Sequence, residues 1–288
     1  MPLPEPLPTI MLEPIVRTAL LEDLGRAGDI TTAATIPPSI AMDGVIASRQ
    51  SGVVAGTDAA ALAFRLLDAR ISVVIEKPDG SRVSPGDTVI RLQGPARAIL
   101  SAERVALNLL CHLSGVATAT AALVDAVRPF SARIVCTRKT TPGLRVLEKH
   151  AVRAGGGLNH RFGLDDAVLI KDNHVALTGG IRNAIVRSRH AAGPFVKIEV
   201  EVDTLAQLAE ALETGVDAVL LDNMTPEQMR EAVRLVNGRA LVEASGRIRL
   251  ENVNAVAATG VDLISAGWIT HSAPALDLGL DAKSSGQF

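Results

Sequence analysis

Four strand-like runs, 196–202 (VKIEVEV), 217–222 (DAVLLD), 240–244 (ALVEA) and 261–265 (VDLIS), succeed one another at about twenty-one residues. That interval holds a strand, a turn, an amphipathic helix and a second turn. Two further runs, 133–137 (RIVCT) and 167–171 (AVLIK), precede them. Helix starts are marked as well: Thr225-Pro226-Glu227-Gln228 supplies an N-cap hydroxyl, a proline at the first helical position and a glutamine three residues after the cap. Strand–helix alternation of this kind builds a parallel sheet, doubly wound or closed into a barrel. About 160 residues is short for the eight units of the common barrel, so a closed sheet here has fewer strands. Six are visible in the pattern, and a seventh is not.

The first third reads differently. Residues 9–25 carry apolar side chains at helical spacing and end on Gly25, a C-cap signal. GDITTAATIP supplies turn chemistry, and from Met42 to Gly94 the segments VIASRQSGVVAG, ISVVIEKPDGSRV and DTVIRLQG read as strands. Pro78-Asp79-Gly80 and Pro85-Gly86-Asp87 read as turns between them. Thr57 to Ala69 reads as a helix across this sheet, and residues 95–128 as a helical stretch joining the two parts.

Composition narrows the function. Aromatics are 2% of 288 residues, with one Trp and no Tyr, so the core is built of Ala, Val, Leu and Ile. A formal net charge of −2 with few stacking side chains excludes a nucleic-acid footprint. Cys111 and Cys136 make neither a metal spacing nor a disulfide framework and read as reduced, buried thiols. The opening MPLPEPLPTIMLEPIV, with four prolines in its first eight residues, reads as a loose leader and not a signal peptide. No apolar run is expected to approach the ~18 residues of a membrane span, and a cytoplasmic protein is expected.

The chemistry gathers at the strand ends. In parallel α/β folds the loops beyond the carboxyl ends of the strands carry the site. Here 133–137 is followed by Arg138-Lys139, and 167–171 ends in Lys171 before Asp172-Asn173-His174. Glu201 ends 196–202, and Asp222-Asn223 ends 217–222. Ser245-Gly246-Arg247 and Ala266-Gly267 follow the last two runs, and His160-Arg161 stands just past Gly155-Gly156-Gly157. Each has a plain alternative: Lys197, Glu199 and Glu201 alternate with Ile198, Val200 and Val202 as in a half-exposed strand, Asp222-Asn223 is a common turn pair, and a lone histidine is more often structural. Helices over both faces of a parallel sheet leave no solvated face, however, and inward charges are expensive unless paired or metal-bound. Basic groups near turns suit several carboxylates or phosphates. Two acids on neighbouring strands suit a hard cation such as Mg²⁺, held partly through water. Paired glycine turns suit a terminal phosphate. An anionic ring acid with a phosphorylated sugar diphosphate meets all three demands.

With GDITT (28–32), AERVALNLLCHLSGVAT (102–118), TRKTTPGLR (137–145), GGGLNHRFGL (155–164), IKDNH (170–174), EVEV (199–202), LLDN (220–223), EASG (243–246) and THS (270–272), the chain closely resembles the quinolinate phosphoribosyltransferases, over nearly its whole length. The resemblance implies an α/β fold: an open-faced N-terminal α/β domain plus a seven-stranded parallel α/β barrel, the type II phosphoribosyltransferase fold. Domains of 1–112, with the tail 274–288 packing on it, and 113–273 are implied. So is a homodimer whose sites take Arg104 from the partner chain. Arg138, His160 and Arg161 would bind the quinolinate carboxylates, while Lys139 and Lys171 would contact carboxylate and PRPP phosphates. Glu201 and Asp222 would hold ribose hydroxyls and Mg²⁺, and Ser245, Gly246, Arg247 and Gly267 would line the 5′-phosphate site. Lys139, Lys171, Glu201 and Asp222 are thereby the implied catalytic set. Arg247, where the family often has glycine, and Trp268, where a small residue is more usual, depart from the pattern. Competing readings are the molybdenum-operon paralogue, against which KDNH speaks, a barrel aldolase or isomerase using Lys171 as a Schiff base, and a non-catalytic assembly protein.

Overall fold

The computed structural model describes residues 5–283; the first four residues of the expected leader, and positions 284–288 of the expected tail, lie outside them. In chain order the elements are α1 (Thr9–Leu24), α2 (Ile30–Thr35), β1 (Ala41–Ser48), β2 (Gly52–Val53), α3 (Thr57–Leu67), β3 (Ser72–Ile75), β4 (Arg82–Val83), β5 (Thr88–Pro95) and the long α4 (Ala96–Val127). There follow β6 (Arg133–Val135), α5 (Arg145–Ala154), β7 (Val168–Ile170), α6 (Asp172–Thr178), α7 (Ile181–Ala191), β8 (Ile198–Val202), α8 (Leu205–Thr214), β9 (Ala218–Asp222) and α9 (Pro226–Val236). The chain closes with β10 (Leu241–Ser245), α10 (Val253–Ala257), β11 (Leu263–Ser265), α11 (Trp268–His271) and β12 (Leu278–Lys283).

Two compact units result, and they do not follow chain order. Of the described residues, the first joins those up to Ala121 with Thr140–Gly156 and those from Ile269 to Lys283; the second is Ala122–Lys139 with Gly157–Trp268. In the first unit β12-β1-β5-β3 form an antiparallel sheet, with β2-β4 as a separate pair. The amphipathic spacing read over 9–25 is realised as Leu12, Val16 and Leu20, all buried. They lie on the element that packs against α3, whose Ala59, Ala60, Ala63 and Phe64 are also buried. GDITT departs from the turn expected of it. The Asp29 carboxylate accepts from Thr32 N–H at 2.8 Å and caps α2, since Asp at an N-cap and Asp in a turn make the same local bond. Gly155 is a packing glycine: a Cβ there would stand 2.4 Å from Ala117 O and 2.7 Å from Thr120 Cβ.

The expectation of no span-length apolar run needs correcting. α4 holds an 18-residue window of mean hydropathy 1.5, long and apolar enough by length and composition to cross a membrane. Of that window 67% is buried inside the protein, so its Ala, Leu and Val side chains serve the core.

The second unit is a six-stranded parallel sheet in the order β6-β11-β10-β9-β8-β7, and these are the six strands read from the sequence. A seventh position is held by one residue. Leu158 bridges Val135 in parallel, its N–H donating to Ile134 O at 2.8 Å while Cys136 N–H donates to Leu158 O at 3.2 Å. A single bridge between glycines and Asn159 has no periodicity to read. Because every pairing is parallel, the carboxyl ends of all six strands share one rim. β8 is buried at every position but Glu201, Glu199 included, so it is not a half-exposed strand.

Candidate active site

Local chemistry shapes the loops at that rim. After β6, Lys139 N–H donates to Thr137 Oγ1 at 3.0 Å, closing the tight turn that presents Arg138 and Lys139. After β7, Lys171 is the N-cap of α6. Its N–H donates to His174 Nδ1 at 3.0 Å and its carbonyl accepts from His174 N–H at 2.8 Å, so the histidine of KDNH fixes the lysine's backbone. Lys171 Nζ stands 3.8 Å from Glu201 Oε2 at the end of β8. Burial pushes the Glu201 carboxyl above its ordinary value; Lys171 opposes this, and Asp222 adds to it. Glu201 and Asp222 therefore sense each other across adjoining strands, an oxygen-rich pair suited to a hard cation.

The neighbouring ends meet at van der Waals distance. A Cβ on Gly246 would lie 2.4 Å from Asn223 Oδ1, and one on Gly267 would lie 2.9 Å from Lys139 Cδ. Glycine is thus required at 246, at φ 100° where the loops after β9 and β10 close on each other, while at 267 a side chain would have to displace that of Lys139. Asn223 N–H donates to Ser245 O at 3.1 Å, and its side-chain amide donates to Asp222 Oδ2 at 2.6 Å. Gly246 sits at φ 100°, and Arg247 beside it at φ 50°. A left-handed non-glycine backbone costs about 1–2 kcal/mol, which accounts for glycine being the easier residue at 247. Asn252 braces the turn: its amide donates to Arg247 O at 3.0 Å, and its Oδ1 accepts from Arg249 N–H at 2.8 Å. The Arg249 guanidinium carbon lies 5.6 Å from the Trp268 ring centre, so the second departure is a stacked pair.

His160 and Arg161 follow the Leu158 bridge. His160 Nε2 donates to Glu199 Oε2 at 2.9 Å and lies 3.4 Å from Glu243 Oε2. Burial pulls the imidazole pKa down, but the bonds to and charges of the two glutamates outweigh it and push it up to about 10. Burial, then the Glu199 charge, raises Glu243 as well. The ligand atoms of these three groups also lie within 4.8 Å of one another, a spacing open to a metal. Arg161 Nη1 donates to Ala167 O at 2.9 Å, and burial followed by the Arg138 charge holds its pKa below the ordinary guanidinium value. Arg138 and Arg161 are therefore electrostatic neighbours. Arg104 is exposed on α4, in the first unit.

The rim thus brings together Arg138, Lys139, His160, Arg161, Lys171, Glu201, Asp222, Ser245, Gly246, Arg247 and Gly267. Glu199 and Glu243 had no part in the sequence-level site. Their signal was present, a carboxylate in the middle of an apolar parallel strand, but Glu199 was masked by the alternation of 196–202.

Comparison with known proteins decides the family. The sequence profile of the quinolinate phosphoribosyl transferase N-terminal domain matches residues 29–114, and that of the C-terminal domain matches 116–281. The chain belongs to the quinolinate phosphoribosyl transferase family. It is 47% identical over 273 residues to nicotinate-nucleotide pyrophosphorylase (carboxylating) of Mycobacterium leprae, covering 92% of this chain and 95% of that one. It is 39% identical over 295 residues to quinolinate phosphoribosyltransferase (decarboxylating) 1b of Nicotiana tabacum, covering 95% and 83%. The crystal structure of NadC from Streptococcus pyogenes superposes with a TM-score of 0.93 at 39% identity, over 98% of this chain and all of that one. The fold of this family member is the type II phosphoribosyltransferase fold: an N-terminal α/β domain with its own sheet, and a parallel α/β barrel.

Proposed function

We infer that this chain transfers the phosphoribosyl group of PRPP to the ring nitrogen of quinolinate, with loss of the 2-carboxylate as CO₂, yielding nicotinate mononucleotide and pyrophosphate for de novo NAD synthesis. The observation that supports this reading is the single rim of strand ends, whose loops carry Arg138, Lys139 and Lys171 beside Glu201, Asp222 and two glycine turns. A ring diacid needs the cations, a ribose diphosphate needs the carboxylates with Mg²⁺, and a 5′-phosphate needs the turns.

In this reading Arg138 and Arg161 bind the diacid, with His160 bracing Arg161 through its backbone N–H and Arg104 supplied by a second copy of the chain. Lys139 and Lys171 meet the charge that grows on pyrophosphate as its bond to ribose C1 breaks. Glu201 and Asp222 hold the ribose hydroxyls and are the residues that would hold Mg²⁺, which when bound neutralises diphosphate charge. Ser245, Gly246, Arg247 and Gly267 line the 5′-phosphate end. The pyridine nitrogen captures the electron-poor C1, so positioning dominates and no side-chain nucleophile is needed. The quaternised ring then stabilises the carbanion left by CO₂, and a proton completes the product. A Schiff-base role for Lys171 finds no support: half-exposed and facing Glu201, it lacks the apolar pocket that activates such a lysine. The same reading divides the chain at 112/113, supported by the profiles meeting between 114 and 116, and puts the described part of the tail on the first domain, supported by β12 pairing with β1. It also places the protein in the cytoplasm as a homodimer.

The test is an assay of purified protein with PRPP, Mg²⁺ and quinolinate. One CO₂, one pyrophosphate and one mononucleotide per turnover are expected. A mononucleotide formed without CO₂, or no transfer at all, would sink the assignment.

A further inference from the structure

The rim holds a buried acidic floor that the proposed chemistry does not use. Glu199 and Glu201 stand two residues apart on β8 and so face the same way, while Glu243 on β10 is level with Glu201 through their common neighbour Leu220 on β9. The Glu199, Glu243 and His160 side chains are 11%, 2% and 14% exposed. One carboxylate would suffice to orient an imidazole. Here two converge on the same ring nitrogen, Glu199 Oε2 at 2.9 Å and Glu243 Oε2 at 3.4 Å. A second buried carboxylate costs several kcal/mol of desolvation, so its retention calls for a role.

The other side of the ring suggests the role. His160 Nδ1 lies 2.8 Å from Arg161 N–H, and Arg161 reaches on to Ala167 O. Both ring nitrogens are engaged within the protein, one by the acids and one by the backbone of the next residue. Glu199 also offsets the repulsion between Arg138 and Arg161, whose charges otherwise oppose each other before any ligand arrives.

We propose that Glu199 and Glu243 are positioning residues for the acceptor: acting through His160, they fix its ring and the Arg161 backbone, and so hold the cationic half of the site in shape to receive a ring diacid. This rests on the activity proposed above.

Steady-state kinetics of Glu243→Gln and Glu199→Gln, varying quinolinate and PRPP separately, test it. The expected result is a rise of about tenfold or more in the KM for quinolinate, with the KM for PRPP within about twofold of wild type. In a His160→Gln background, adding Glu243→Gln should change the quinolinate KM by less than about twofold, because the path through the ring is already broken. An unchanged or lower quinolinate KM, equal rises for both substrates, or additive effects would each overturn the proposal. A lower KM would mean that the acids act only as bare repulsive charge. Should these variants fail to fold, nitrogen NMR of the wild-type protein decides. Quinolinate without PRPP should shift the Arg161 amide and leave His160 Nε2 on its glutamates, whereas displacement of the glutamates from Nε2 by the diacid would refute it. Wild-type turnover is measured first: its absence counts against the activity, and its presence with an unaltered quinolinate KM in Glu243→Gln counts against this inference alone.

Discussion

Each unit buries a histidine against acid, and the two arrangements are built on opposite terms. In the first, Asp79 of the Pro78-Asp79-Gly80 turn accepts four bonds: from Gly56 N–H at 2.9 Å, Thr57 N–H at 3.0 Å, Thr57 Oγ1 at 2.7 Å and His150 Nε2 at 3.0 Å. Every donor there meets an acceptor, and the carboxylate caps α3 from a distant turn. In the second, two carboxylates crowd one nitrogen of His160, Glu199 at 2.9 Å and Glu243 only at 3.4 Å. The first cluster has what a structural joint needs, whereas the second carries an excess of acid that only a nearby excess of cations justifies. Saturated hydrogen bonding marks a joint, and unsaturated bonding beside opposite charge marks a site.

The contrast is broken most forcefully at Asp79. Asp79→Ala strands two backbone N–H groups, a hydroxyl and a buried imidazole, and should destabilise the protein by about 3–5 kcal/mol in urea denaturation, while folded molecules keep turning over. A loss below ~1 kcal/mol would mean that the joint is not structural. On the rim the signs reverse. Arg138→Ala or Lys171→Ala should cut turnover by at least ~10²-fold, since each removes charge-assisted contacts, with little change in unfolding midpoint. Near-normal kinetics in either would remove it from the site.

Acid sharpens the same comparison. Burial raises the Asp79 carboxyl, but the bonds from His150, Gly56 and Thr57 outweigh it and hold it below the ordinary 3.8. A carboxyl depressed in the folded state contributes stability that is complete above 3.8 and lost as pH falls through its folded value. Unfolding free energy should therefore drop below pH 3.8 with an Asp79 component that Asp79→Asn lacks; parallel curves for the two proteins would contradict this.

Much of the fold was legible because its signals are local. The late strands are apolar runs between capped helices, and Thr225 with Gln228 forms the capping box their spacing announces. What escaped notice depends on distant partners. Leu158 is a strand only because Ile134 and Cys136 bond to it. The hydropathy of α4 is explained only by what covers it. Arg138, Lys171, Glu201 and Asp222 stood out as polar groups at strand ends, whereas Glu243 lay between Val242 and Ala244 and gained meaning only when His160 came within reach.

The smallest effect is expected at Arg247. Arg247→Gly relieves a left-handed backbone but adds chain entropy to the unfolded state, so stability should rise by only about 0.5 kcal/mol. The KM for PRPP should rise at the same time if the guanidinium meets phosphate; an unchanged KM would leave it a surface residue.

The most direct measurement is the ratio of kcat/KM for quinolinate over nicotinate, each with PRPP and Mg²⁺. Nicotinate lacks the 2-carboxylate for which the proposed function uses Arg138 and Arg161, and a site with buried polar groups left unmatched discriminates by roughly 10³-fold or more. A ratio of that size in favour of quinolinate is the predicted result; comparable turnover of nicotinate would contradict the diacid site itself.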